Sequence, residues 1–191
     1  MYVNMWSHLR PDGPQPQAPK GTTAKGMLPM TEQDTTQMEL ANRLFFRLYQ
    51  CANMLHKTGS RAIEEEGLTT QQWAVLGALS REQAAGGMKL GELARYLMVS
   101  RQNLAGVVGR LERDGRVESA ADPQDGRSRL VRLTPSGRQV WQKQAVPKIQ
   151  AFYAQALEGF STNDMVHTVH YLLKMLENMQ QIDAADGDEE D

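Results

Sequence analysis

The chain has 191 residues, a formal net charge of −2 at pH 7 and one cysteine, Cys51. That length holds one good core without requiring a second, and a single cysteine excludes an internal disulfide or a cysteine-based zinc set. No run of about 18 apolar residues occurs, and the opening "MYVNMWSHLRPDGPQPQAPKG" lacks the basic start and apolar stretch of a secretory signal, so no membrane span and a cytoplasmic location are expected.

Residues 1–30 contain five of the eight prolines, spaced by Gly and Gln. They cannot bury enough apolar surface to offset their ordering entropy and are expected to form a disordered arm. From Thr31, "TEQD" starts a helix in which Leu40, Leu44, Leu48, Cys51 and Leu55 recur at helical spacing, with Gly59 as its expected stop. Thr69 stands three residues before Gln72, a capping-box spacing that opens a second helix, and "EQAAGG" (82–87) is expected to be a loop.

Next come "LGELARYL", a short break "MVS", and "RQNLAGVVGRLERDG". Ser100 is an N-cap for the later helix, Leu104, Val107, Val108 and Leu111 form its apolar face, and Gly115 ends it. Two short helices joined by about three residues fit a helix-turn-helix and, taken alone, equally fit an ordinary helical hairpin. The next segment favours the former. "RVESA" and "SRLVRLT" alternate polar and apolar residues around "ADPQDGR", which makes a two-stranded hairpin directly after the second helix: a wing. Thr134 and Pro135 then restart a helix that Pro147 should bend, and Ser161 with Asp164 opens a last helix bearing Met165, Val169, Leu172, Leu173, Leu176 and Met179 on one side.

Charge follows the same division. Residues 89–138 carry ten cations (Lys89 and nine arginines) against six acids, net +4, leaving −6 to the remainder, much of it in the terminal "DAADGDEED". Such a block is the electrostatic footprint of a polyanion-binding surface that the overall charge conceals. With the apolar stripe of the second short helix turned inward, Arg101, Gln102, Asn103, Gly106 and Arg110 face out or sideways, and Arg, Asn and Gln are the side chains that read base edges. Ser100 and the helix N-terminus suit a phosphate. Arg129 and Arg132 are three apart on a strand and so point to opposite sides; at most one should reach the DNA backbone.

From about residue 35 to 181 the order of elements resembles the MarR family of winged helix-turn-helix transcription regulators. "DGRSRLVRLTPSG" resembles that family's wing pattern, with Asp125, Arg127, Leu133, Thr134 and Gly137 in register, and "GELARYLMVSRQNLAGVVGRLERDGRV" is similar to its two DNA-facing helices. The resemblance implies a mainly α fold with a small β-hairpin wing: a winged helix-turn-helix domain (31–181) with a DNA-binding region over about 69–134 and dimerisation helices over about 31–59 and 135–181. It does not cover residues 1–30 or the acidic tail (182–191), which composition marks as disordered. It implies a homodimer on a pseudo-palindromic double-stranded operator, with Arg127 at the wing tip in the minor groove; Asp125, poorly placed to touch phosphate, is expected to brace Arg127 or the turn.

The resemblance also implies a small-molecule effector, an aromatic carboxylate or an aryl-CoA, held between the dimer helices and the winged helix, where this chain supplies Arg47, Met54, His56 and Trp73. The expected function is a ligand-responsive regulator, a repressor released from its operator. Two alternatives stand beside it. One is oxidant sensing through Cys51, although a thiol in an apolar stripe is more commonly buried and inert; the other is a winged helix that binds protein rather than DNA. No phosphate loop, Gly-x-Ser-x-Gly or His-Glu-x-x-His motif occurs, and His167 and His170, i and i+3 on the last helix, make no metal set by themselves. No catalytic residue, metal or cofactor is therefore expected.

Overall fold

The computed structural model describes residues 32–125 and 128–187. Two compact units divide at Phe45/Phe46, and the first helix runs through the boundary. In the first unit the described part is the opening half of that helix. All packing below belongs to the second unit.

Helix α1 spans Glu32–Ala62, α2 Thr70–Leu79, α3 Leu90–Leu97 and α4 Arg101–Arg113. Strands β1 (Met88–Lys89), β2 (Val117–Ala121) and β3 (Arg129–Leu133) make one antiparallel sheet in the order β1-β3-β2. Then follow α5 (Pro135–Val140), a π-helical stretch (Trp141–Ala145), α6 (Val146–Ala156) and α7 (Thr162–Gly187). Leu76, Leu79, Leu93, Leu104, Leu111, Val117 and Val131 are fully or almost fully buried and place the core between α2, α3, α4 and the sheet, with Val140, Ala145 and Ile149 closing it from α5 and α6.

Short-range capping produces most of these boundaries. Thr69 Oγ1 accepts from Gln72 N–H at 3.3 Å and Gln72 Oε1 from Thr69 N–H at 2.9 Å, satisfying two donors that the first turn of α2 would leave bare. Ser100 Oγ caps α4 at Asn103 N–H (3.2 Å), and Ser161 does the same for Asp164 N–H (3.1 Å) ahead of α7. Gly115, at φ +64°, ends α4 in the left-handed conformation that glycine adopts without a Cβ penalty.

The motif Leu133-Thr134-Pro135-Ser136-Gly137 has a clear physical basis. Thr134 Oγ1 accepts from Gly137 N–H at 2.9 Å and donates to Gly115 C=O at 2.7 Å, binding the start of α5 to the end of α4. A Cβ on Gly137 would stand 1.8 Å from the Arg116 carbonyl oxygen, so no other residue fits that approach.

Three expectations are corrected. Gly59 does not stop α1, which continues to Ala62; the residue is buried within the helix because α2 packs directly onto it. The sheet is not two-stranded, since Met88 and Lys89 pair with Val131 and Leu130 as a third strand. Helix α7 runs past residue 181 to Gly187, where Ala184 and Ala185 have the best helix propensity; residues 188–191, like 1–31, lie outside the described residues. Pro147 has no N–H and crowds the carbonyl four residues earlier. The chain meets this with the π turn just before it, across which the buried positions Val140 and Ala145 are five apart rather than three or four.

Lys148, just after this proline, pairs with Glu66 at 2.7 Å and also with Glu65, tying the short turn after α1 to α6. Among the described residues no helix is long and apolar enough to cross a membrane.

Candidate nucleic-acid interface

Helix α4 buries Leu104, Val107, Val108 and Leu111, and its 3.6-residue period leaves Arg101, Gln102, Asn103, Gly106 and Arg110 exposed together. Nothing of the fold stands against this face at Gly106, where an added Cβ would meet only Arg110 Nη1, at 4.0 Å. The turn into α4 is held by Val99 N–H to Ala94 C=O (3.1 Å), and Met98 takes φ +54°, unusual for a residue with a side chain. A groove of about 1250 Å³ runs between α3, the start of α4, the start of β3 and the C-terminal part of α7, lined by Lys89, Arg95, Arg101 and Arg129 together with Glu92, Gln180 and Asp183. Arg95 and Arg101 beside the α4 N-terminus suit a phosphate backbone.

The wing is a built loop. Asp122 Oδ1 accepts from Gln124 N–H at 2.9 Å and Oδ2 from Ser128 Oγ at 3.0 Å, while Asp122 N–H donates to Ser128 C=O at 3.0 Å. Lys89 Nζ lies 3.4 Å from Asp122 and 3.6 Å from Asp125. The Gln124 amide, with help from Ser128 and Lys89 and against the opposing effect of burial, holds the Asp122 carboxyl below the usual carboxylate range; the hydrogen bond to Asp122 pushes the Lys89 ammonium up.

Arg127, the expected groove-reading residue, lies outside the described residues, as does Gly126. Asp125 stands at the wing as expected, ion-paired to Lys89. Arg132 pairs with Glu118 directly across the hairpin at 2.8 Å, and Arg129 donates to the Ser119 carbonyl. Sequence reasoning missed Lys89 and Asp122, which are far apart in the chain and reveal their relation only once β1 joins the sheet.

Of the four expected ligand residues, two come together. His56 Nδ1 is 2.6 Å from Thr70 Oγ1, and Trp73 packs one turn further along α2, edge-on to Phe152 (6.2 Å) and tilted against Tyr153 (5.7 Å). Burial raises the Tyr153 phenol above its usual range. Arg47 instead bonds Gln50 on its own helix at 2.8 Å, about 13 Å of helical rise from His56, and Met54 is exposed with its carbonyl bonded to Thr58. Within one chain neither joins the aromatic group. Cys51 is exposed rather than buried, because among the described residues nothing covers this face of α1. His167 and His170 are likewise exposed, and no group of three or more metal-ligating side chains occurs among the described residues.

A MarR-family model matches residues 66–128, from the end of the turn after α1 into the wing. The transcriptional activatory protein BadR of Rhodopseudomonas palustris is 68% identical over 147 residues, 77% of this chain and 84% of that one. The homoprotocatechuate degradative operon repressor of Escherichia coli is 29% identical over 110 residues, 58% of this chain and 72% of that one. Among solved structures, CouR from Rhodococcus jostii RHA1 bound to p-coumaroyl-CoA superposes with a TM-score of 0.61 at 26% identity, covering 72% of this chain and 93% of CouR.

Proposed function

The chain belongs to the MarR family of winged helix-turn-helix transcription regulators, and from that premise we propose that it binds a pseudo-palindromic operator as a homodimer whose affinity a small aromatic acid or its CoA thioester controls. The observation that carries the DNA-binding part is the outer face of α4, where Arg101, Gln102, Asn103 and Arg110 stand clear of the fold beside a cationic groove. Helices α1, α6 and α7 supply the dimer contact. Their exposed apolar side chains, among them Tyr49, Leu55, Tyr153, Val169, Leu172 and Leu173, have no cover among the described residues and fit a second copy. The protein works in the cytoplasm, where its operator is.

The effector class rests on two supports: the Trp73, Phe152 and Tyr153 rings next to His56 and Thr70, and the aryl-CoA in the CouR structure. Ligand acts by population shift, favouring a spacing of the two α4 helices that does not fit half-sites about 10 bp apart. The test is a mobility shift on the DNA flanking the protein's own gene, with p-coumaroyl-CoA, p-coumarate and a panel of simpler aryl acids and thioesters. Sequence-selective retardation that an aryl compound weakens is expected. Absence of any selective retardation would convert the winged helix into a protein-interaction module.

Two signs of regulation are open to one DNA-binding surface. Repression relieved by ligand is the first reading, in line with the operon repressor relative; the 68% identity to a protein named as an activator favours the second, activation. Deleting the gene raises expression of a fused reporter in the first case and lowers it in the second.

A further inference from the structure

Lys89 occupies two structural positions at once. It is the last residue of β1, paired with Leu130 of β3, and it immediately precedes the first turn of α3. Ser, Thr, Asp or Asn at such a position would cap the helix with a side-chain oxygen. A lysine has no acceptor to offer: its backbone N–H donates to Glu92 Oε2 at 3.3 Å, and its side chain turns away to the wing. There the ammonium meets two carboxylates, Asp122 at 3.4 Å and Asp125 at 3.6 Å.

The wing loop is closed upon itself by Asp122 N–H to Ser128 C=O and Ser128 N–H to Asp125 C=O (2.8 Å). Its described ends, Asp122, Asp125 and Ser128, are attached to the rest of the domain through β2 and β3 and through Lys89. We propose that Lys89 is a positioning residue for DNA binding: it latches the wing loop to the start of α3 and screens the two wing carboxylates from the phosphates the wing must approach. The proposal rests on the reading of β2–β3 as a DNA-contacting wing.

Physical chemistry separates this role from a merely structural one. The Lys89 side chain is 40% exposed, and ion pairs of that exposure add little to folding stability. What the pair supplies is orientation and charge balance, so its loss should register in operator affinity and hardly in thermal stability. A lysine touching phosphate on its own account would also register in affinity, but independently of the wing arginine.

The deciding experiment is a double-mutant cycle on the full-length protein, with affinity read by anisotropy on the flanking-gene fragment that the wild type retards. Lys89→Met is expected to weaken binding about tenfold with a nearly unchanged Tm, and about twofold or less when Arg127→Ala is already present, because both changes disable the same wing. Lys89→Arg keeps the cation and should restore most of the affinity. Hydroxyl-radical footprints of Lys89→Met should lose protection at the outer minor grooves alone. Should Lys89→Met fail to fold, Lys89→Gln is read in the same cycle. Unchanged affinity in Lys89→Met, or full additivity with Arg127→Ala, overturns the latch. An Arg127→Ala single variant that binds like wild type overturns the wing reading, and the latch with it, in a separate arm.

Discussion

Gly59 of α1 lies so close to Thr70 of α2 that an added Cβ would stand 2.7 Å from Thr70 Cγ2 and 3.1 Å from the Trp73 ring. The two helices meet there at a distance only glycine permits, at the edge of the aromatic group assigned to the effector. Gly59→Ala gains up to about 1 kcal/mol of helix propensity, whereas overpacking costs about 1–3 kcal/mol. Overpacking wins: a net loss of about 1 kcal/mol is expected by urea denaturation, and Thr70→Ser, which removes the clashing methyl and keeps the hydroxyl facing His56, should recover it. A Gly59→Ala protein as stable as wild type would show that α1 is free to shift.

Two further glycines should respond in opposite ways. A Cβ on Gly137 would strike the Arg116 carbonyl oxygen, a backbone atom that no rotamer change can move, so Gly137→Ala should cost about 3 kcal/mol or more. Gly106 has open space, so Gly106→Ala should stabilise the fold by about 0.5–1 kcal/mol. If that face meets DNA closely, the same change lowers operator affinity. Higher stability with unchanged affinity would reduce Gly106 to a tolerated helical glycine.

Base readout and phosphate contact separate by sequence dependence. Gln102→Ala and Asn103→Ala should each relax preference at particular operator positions by about 1–3 kcal/mol, measured by competition with single-base variants. A uniform loss across all sequences would make them phosphate contacts. For the intact protein, log affinity should fall with log salt by about 0.9 per phosphate neutralised.

The Asp122 carboxyl lies below its usual range, so the stability it contributes is present above the unfolded value of about 3.9 and is lost as pH falls through the lower folded value. The difference in urea midpoint between wild type and Asp122→Asn should therefore be flat from about pH 8 to pH 5 and shrink in stronger acid. Lys89 has the opposite sign. Its contribution is full below its unfolded value and lost only as pH rises through a folded value above that, well outside this window. A difference that changed between pH 8 and 5 would assign the effect to another group.

What the sequence made legible is local chemistry. Thr69 with Gln72, Ser100 with Asn103, Thr134 with Gly137 and Ser161 with Asp164 are each three residues apart, and each forms the cap that its spacing announces. The outward residues of α4 follow in the same way from a period and an apolar stripe. Gly59, Lys89 and the π turn were not legible, because each answers to a partner or a neighbour that periodicity does not name. Gly59 reads as a helix stop unless α2 is known to pack on it. Lys89 reads as one more cation of the basic block until β1 brings it to Asp122 and Asp125. Arg132 shows the converse: counted among cations available to DNA, it is already balanced by Glu118 across the hairpin.

The bare apolar faces of α1, α6 and α7 have a consequence for quantity as well as shape. Side chains such as Ile182 at 63% exposure and Val166 at 58% have no cover among the described residues of their own chain, and a partner copy that buries them adds to the stability of the fold. Folding and pairing then obey one mass-action law, and Tm should rise with protein concentration in a thermal melt. A cell holding few copies would keep part of the chain unpaired and unstable. The number of molecules present would set how much regulator is intact, before any effector or operator takes part.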